Sequence, residues 1–85
     1  MQEVVFGLNA NQIYHSFRHT DALGLNRAEV VEAIRQDLRH RLPFPIPPPK
    51  NFLFIGNVTV RGRELQYRAH PVSEGVVNVG RITAA

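Results

Sequence analysis

The chain has 85 residues, of which 44% are apolar, and it contains no cysteine. This length supports one domain with one modest core, and the lack of cysteine excludes disulfides, a thiol nucleophile and thiolate metal sites. The net charge of +3 is carried by nine arginines and a single lysine. Arginine binds phosphate bidentately, whereas lysine acts as a solvated point charge. The composition is therefore compatible with a nucleic-acid partner, and equally with an ordinary basic surface.

No membrane span and no secretory signal are predicted. The longest uncharged apolar stretch, Leu42 to Pro49, is rich in proline and far shorter than the roughly 20 residues that cross a bilayer. The first residues show neither a basic segment nor a long apolar one, so a signal peptide is not indicated. The chain is also compatible with being a fragment of a larger exported protein.

A first helix is predicted from about Ala10 to Arg18. Asn9, followed three residues later by Gln12, resembles a capping box, which marks the start of a helix. The segment 20–25 is interpreted as a connector because it contains an aspartate and a glycine. The apolar positions of this helix are few: Ile13, Phe17 and Tyr14.

A second helix is predicted from about Arg27 to Arg41, again after a capping pair, Asn26 and Glu29. Its apolar residues recur at helical spacing and Pro43 ends it. The proline-rich segment 43–50 then forms a stiff connector, with a ligand for a proline-binding module as the alternative. The apolar stripe comprises Val31, Ile34, Leu38 and Leu42.

From residue 51 the apolar period changes to two, which predicts strands. Turns are indicated at Arg61-Gly62 and from Pro71 to Gly75, so segment 51–84 forms a three-stranded antiparallel meander. The segment Gln2 to Gly7 is a candidate fourth strand. The face toward the helices is predicted to carry Val58, Leu65, Tyr67, Ala69, Val77 and Val79, and the opposite, polar face Asn57, Thr59, Gln66, Arg68, His70 and Asn78.

These elements predict an α+β fold in which two N-terminal helices pack on one face of a three- to four-stranded antiparallel meander. The whole chain, 1–85, forms one domain. Its helical part spans about 9–42, the proline-rich connector 43–50 and the meander 51–84.

The first candidate site is the segment from His15 to Thr20. His15 and His19 stand four residues apart, with Arg18 between them, and they share one face of the helix if it extends as far as residue 19. Two imidazoles and a guanidinium suit RNA cleavage by the substrate's own 2′-hydroxyl, since imidazoles transfer protons and arginine stabilises the charged phosphorane. No metal or other cofactor is needed for that reaction.

The same histidine spacing is also found in zinc sites, but neither a third ligand nor the glutamate of a zincin helix accompanies it. We therefore predict no metal site. The alternative for either histidine is a purely structural role, as a helix cap or in a local hydrogen bond.

A second candidate group is Arg68 with His70, and a third is Arg81 with Thr83. In both, an arginine would hold a phosphate beside a polar group. Arg81 with Thr83 could complete a phosphate pocket. However, Arg81 has the same strand parity as the apolar Val79, which indicates instead a position at the sheet edge beneath the helices. The sequence leaves both positions open. Parity further predicts that the first and third groups converge while the second lies across the sheet.

Three more basic residues, Lys50, Arg61 and Arg63, fall in or near loops. They are candidates for contacts with an RNA backbone, the alternative being ordinary solvated charge. The glycines are dispersed, so no phosphate-binding glycine loop is present, and no carboxylate pair indicates a glycosidase or a divalent-metal nuclease.

The order of these elements, with the motif His-x-x-Arg-His-Thr and the ending Gly-Val-Val-Asn-Val-Gly-Arg-Ile-Thr, resembles the small ribonuclease superfamily of barnase, EndoU, colicin nucleases and RelE. More narrowly, it is similar to the C-terminal toxin domains of contact-dependent growth inhibition systems. The likeness covers most of the chain and is one of element order and site chemistry.

The resemblance implies a metal-independent endoribonuclease, often directed at tRNA, secreted or delivered from the cell surface into a target-cell cytoplasm. It also implies an acidic immunity protein in the producing cell. Carried over, it makes either His15 or His19 the general base. The other implied roles are phosphate binding for Arg18, Arg68 and Arg81, and support for Thr20, His70 or Thr83.

Two other functions fit the same residues. One is a non-catalytic nucleic-acid-binding module, in which the arginines only contact phosphate. The other is a protein interaction domain of the antitoxin type, in which the polar sheet face is plain surface.

Overall fold

The computed structural model describes residues 3–42, 44, 52–73 and 75–85. They form one sheet of four strands and two helices. The elements are β1 (Glu3–Val5), α1 (Ala10–Ala22), α2 (Arg27–Arg39), β2 (Phe54–Val60), β3 (Arg63–Ser73) and β4 (Val76–Ala84).

The sheet has the strand order β1-β4-β3-β2. Strands β2, β3 and β4 pair antiparallel as the predicted meander, and β1 adds a fourth strand that runs parallel to β4. The predicted α+β fold, with two N-terminal helices packed on a mostly antiparallel sheet, is confirmed. Most of the proline-rich connector lies outside the described residues.

Both helices begin where the capping asparagines predict. The Asn9 side chain accepts a hydrogen bond from the Gln12 backbone at 2.9 Å, and the Asn26 side chain accepts one from the Ala28 backbone at 2.8 Å. These bonds satisfy amides that have no partner inside the helix. The end of α1 differs from the prediction: it continues past residue 18 to Ala22 and stops before Gly24, whose φ of +74° leaves the helical region. The second helix ends at residue 39, two residues earlier than predicted.

The core lies between α2 and one face of the sheet. Helix α2 buries Val30, Ile34 and Leu38 completely, so the stripe contains Val30 where the sequence predicted Val31. The predicted inward face of β3 and β4 is confirmed at five positions. The fully buried strand residues are Leu65, Tyr67, Ala69, Val77, Val79 and Ile82, while Val58 is half-buried.

Tyr67 links the sheet to α2 through its hydroxyl, which donates a hydrogen bond to the Asp37 carboxylate. Burial of the ring, together with that hydrogen bond, raises the pKa of Tyr67 well above its ordinary value. Gly56 on β2 leaves the space that the ring occupies, since a Cβ there would lie 2.5 Å from the ring Cζ. This position therefore admits only glycine without rearrangement.

Helix α1 covers part of the edge of β4. Strand β1 pairs with β4 only as far as Asn78, and beyond that point the Ser16 hydroxyl lies 3.1 Å from the Gly80 carbonyl oxygen. This packing explains why α1 has few apolar positions: it buries Ser16, Phe17 and Thr20, while the predicted apolar residues Ile13 and Tyr14 are exposed. The helix thus borders both faces of the sheet.

Candidate functional site

A pocket of about 280 Å³ opens where the start of α1 meets the polar face of β3 and β4. We call it the α1–sheet pocket. None of the described residues that line it is a carboxylate, so its electrostatic character is set by imidazoles, amides and a hydroxyl. The lining residues are Gly7, Leu8, Gln12, His15, Ser16, His70, Val72, Asn78 and Gly80.

Two histidines from distant parts of the chain meet at this pocket. His15 comes from α1 and is exposed, with its ring edge-on to Tyr14 at a centroid distance of 5.5 Å. His70 comes from β3, is half-buried and pairs across the sheet with Asn78. The prediction that the group at Arg68 and His70 lies away from the first group is therefore wrong, because α1 reaches the polar face at the edge of β4.

A β-bulge at Gly80 decides the position of Arg81. Arg68 is the register partner of Arg81, yet the next residue, Ala69, is the partner of Val79. Gly80 is thus the extra residue, and it reverses the alternation of side chains along β4. Val79 stays in the core while Arg81 is exposed on the polar face beside Arg68. Arg81 therefore does not lie beneath the helices, which was one of the two positions that the sequence left open. It lies on the polar face.

Arg68 and Arg81 face each other on adjacent strands, and both are exposed. Like charges directly opposite in a sheet repel each other. Neither guanidinium forms an ion pair with a carboxylate in the described part of the chain. The two guanidinium groups provide adjacent binding groups for an anion. Arg68 lies two residues before His70 on β3.

The other candidates from the first and third groups do not line the pocket. Thr83 is half-buried on the polar face. It lies two residues after Arg81 on β4 and pairs with Gln66 on β3. His19 lies on α1 one turn beyond His15 and does not line the pocket, and Arg18 is exposed beside it. Thr20 is completely buried, and its hydroxyl donates to the Phe17 carbonyl oxygen at 3.0 Å. Thr20 is therefore a core residue that cannot contact a substrate in this structure.

The basic residues at the β2–β3 turn are remote from the pocket. Arg63 begins β3, seven residues before His70, a span of roughly 23 Å along a strand. Arg61 donates two hydrogen bonds to the Glu29 carboxylate on α2, at 2.6 and 2.9 Å. The structure thus gives Arg61 a structural partner, and it leaves Arg63 as exposed charge. Lys50 lies outside the described residues.

Two side-chain amides at the pocket, Asn78 and Gln12, were not predicted as site residues. Asn78 is only 7% exposed, although it lies on the polar face. The alternation of side chains along the last strand predicted that Asn78 lies on the polar face. The capping box with Asn9 predicted that Gln12 lies at the start of the first helix. The hydrogen bond from Gly7 to Asn78 was not predictable from local patterns, because it joins residues 71 positions apart.

Within the described ranges, no three histidine, aspartate or glutamate side chains lie close enough together to hold a metal ion. No helix there is both long enough and apolar enough to cross a membrane. No protein-family model matches the sequence, and no curated protein and no solved structure matches it significantly.

Proposed function

We propose that the chain is a metal-independent endoribonuclease domain whose reaction takes place at the α1–sheet pocket. The observation that carries this proposal is that His15 and His70 line one pocket, in which none of the described lining residues is a carboxylate. Arg68 and Arg81, which have no ion pair with a carboxylate among the described residues, lie on the same sheet face. Acid–base groups beside a phosphate-binding pair are what cleavage by the substrate's own hydroxyl requires.

In the proposed reaction, the 2′-oxygen of the ribose attacks the adjacent phosphorus. As this bond forms, the bond between that phosphorus and the 5′-oxygen of the next nucleotide breaks. One imidazole takes the proton from the 2′-hydroxyl, and the other, protonated, gives a proton to the leaving 5′-oxygen. The products are a 2′,3′-cyclic phosphate and a free 5′-hydroxyl. His15 and His70 share these two roles, and Arg68 and Arg81 hold the phosphate.

The substrate and partner that the resemblance implies belong to the same proposal. A tRNA is the proposed substrate, and an acidic immunity protein is the proposed partner, because a carboxylate-rich surface complements the free arginines. The accompanying localisation is that of a toxin fragment, secreted or delivered from a cell surface, that acts in the cytoplasm of a target cell.

Incubating the purified protein with total tRNA in EDTA tests the activity. We expect discrete fragments that end in a 2′,3′-cyclic phosphate, and RNA that stays intact contradicts the proposal. If the RNA is bound but not cut, the non-catalytic binding module is the better description.

Single histidine substitutions then test the site. His15→Ala and His70→Ala should each lower kcat by about 10² to 10⁴, the usual contribution of one acid–base group. His40→Ala is the matched control, since His40 is exposed at the end of α2 and away from the pocket. His19→Ala should behave like the control. Loss of activity with His19→Ala and not with His70→Ala would show that the pair was chosen wrongly.

A further inference from the structure

Two neighbouring backbone amides fix the orientation of two side-chain amides in the α1–sheet pocket. The Gly7 N–H donates to the Asn78 Oδ1 at 2.9 Å, and the Leu8 N–H donates to the Gln12 Oε1 at 2.8 Å. A carboxamide has one oxygen that accepts and one NH₂ group that donates. Because each oxygen is already engaged, the NH₂ groups of both side chains are left as donors at the pocket.

Asn78 is the more constrained of the two. It is more than nine-tenths buried, and its Nδ2 donates no hydrogen bond to any described residue. A Cβ placed on Gly80 would lie 3.6 Å from that Nδ2 and 3.8 Å from the Cε1 of His70. The bare backbone of Gly80 therefore leaves a space that an amide donor and an imidazole both border.

We infer that the Asn78 and Gln12 NH₂ groups form an anion site in the α1–sheet pocket, which both side chains line, and that they donate to a non-bridging phosphate oxygen. Donors that are held in place before the reaction stabilise charge that develops in a transition state, with no cost of reorientation. In the phosphorane, the extra negative charge falls on the non-bridging oxygens. The anion site stands on the geometry alone, while its catalytic role rests on the proposed function.

Asn78→Asp is the sharpest test, since it exchanges the donor for a second carboxylate oxygen. The aspartate keeps an oxygen that accepts from Gly7, and a circular dichroism melt of the variant checks that the fold is retained. Gln12→Glu repeats the exchange on α1, where a first-turn carboxylate favours the helix. Asn57→Asp is the matched control, because Asn57 is exposed on the same sheet face but on β2, away from the pocket.

Binding of inorganic phosphate is measured by NMR, from the side-chain NH₂ resonances of Asn78 and Gln12, or from the one of the two that remains in each variant. In the unmodified protein we expect saturable shifts of both. Binding should weaken at least about tenfold in Asn78→Asp and in Gln12→Glu, and it should be unchanged in Asn57→Asp. With RNA, Asn78→Asp should lower kcat by about 10² to 10³, the effect of losing one such donor.

Absence of saturable shifts, or equal affinity for phosphate in Asn78→Asp and the control, overturns the anion site. Full cleavage activity in Asn78→Asp overturns its catalytic role. If the protein cuts no RNA but binds phosphate with the expected dependence on Asn78, the ribonuclease proposal fails and the anion site stands.

Discussion

Alanine substitutions at Gly56 and at Gly80 separate the stability of the fold from the chemistry of the pocket. A Cβ at Gly56 would lie 2.5 Å from the Cζ of Tyr67 and 2.6 Å from its hydroxyl oxygen, whereas carbon atoms in contact are about 3.5–4.0 Å apart. The ring must therefore move by about 1 Å. It is completely buried and hydrogen-bonded to Asp37, so the strain is not relieved easily.

Overpacking of this kind costs about 1–3 kcal/mol of unfolding free energy. For a domain of this size, each kcal/mol lowers the thermal midpoint by about 4–8 °C. We therefore expect Gly56→Ala to lower the midpoint by about 5–20 °C. The nearest contacts of a Cβ at Gly80 are 3.6 and 3.8 Å away, which is ordinary packing. Gly80→Ala should change the unfolding free energy by no more than about 0.5 kcal/mol, and so leave the midpoint nearly unchanged.

The two variants should differ in the opposite way in RNA cleavage: Gly80→Ala should lose activity, and Gly56→Ala should keep it. The methyl group at Gly80 fills the space beside Asn78 and His70, so cleavage of tRNA should fall at least about tenfold. Gly56→Ala, assayed well below its midpoint, should cleave normally. Circular dichroism melting and the EDTA cleavage assay measure the two effects, with Asn57→Ala as the exposed control beside Gly56. An unchanged midpoint in Gly56→Ala refutes the packing argument, and full activity in Gly80→Ala refutes the site.

Two further predictions concern the supporting structure. Asn26→Ala should lower the unfolding free energy by about 1 kcal/mol, measured with urea, because the α2 amides lose their cap; no loss would mean that the cap is not formed. The hydrogen bond from Arg61 holds the pKa of Glu29 below its ordinary value, so the stabilisation is present at neutral pH and lost as the pH falls through that lowered pKa. Arg61→Ala should therefore lower the thermal midpoint slightly at pH 7 and have no effect near pH 2, and an equal effect at both would contradict the ion pair.

Features of the fold that depend on nearby residues were predictable from the sequence. Each helix start follows from an asparagine and the residues just after it, and both starts are confirmed. The Arg61-Gly62 turn follows from two residues that adopt positive φ, at 49° and 76°. The alternation in β3 predicted the burial of Leu65, Tyr67 and Ala69 because that part of the strand is regular.

Features that depend on contacts between distant segments were not predictable. The alternation rule placed Arg81 with Val79, and it failed because it assumes an unbroken register, whereas the register shifts at Gly80. Likewise, an amphipathic-helix rule assumes a helix that packs on a sheet face. The helix α1 covers a strand edge instead, so it buries the Ser16 hydroxyl, which reaches the Gly80 carbonyl oxygen on β4.

The bulge at Gly80 has two consequences that both serve the proposed site. It turns Arg81 onto the polar face opposite Arg68, which brings two cations together at a cost in repulsion. It also places a residue without a side chain between Asn78 and His70, so that the pocket stays open at its floor. A regular β4 would have buried Arg81 under the helices. The sheet thus departs from regularity at the residue that borders the proposed anion site, which is where a functional site is expected to override local rules.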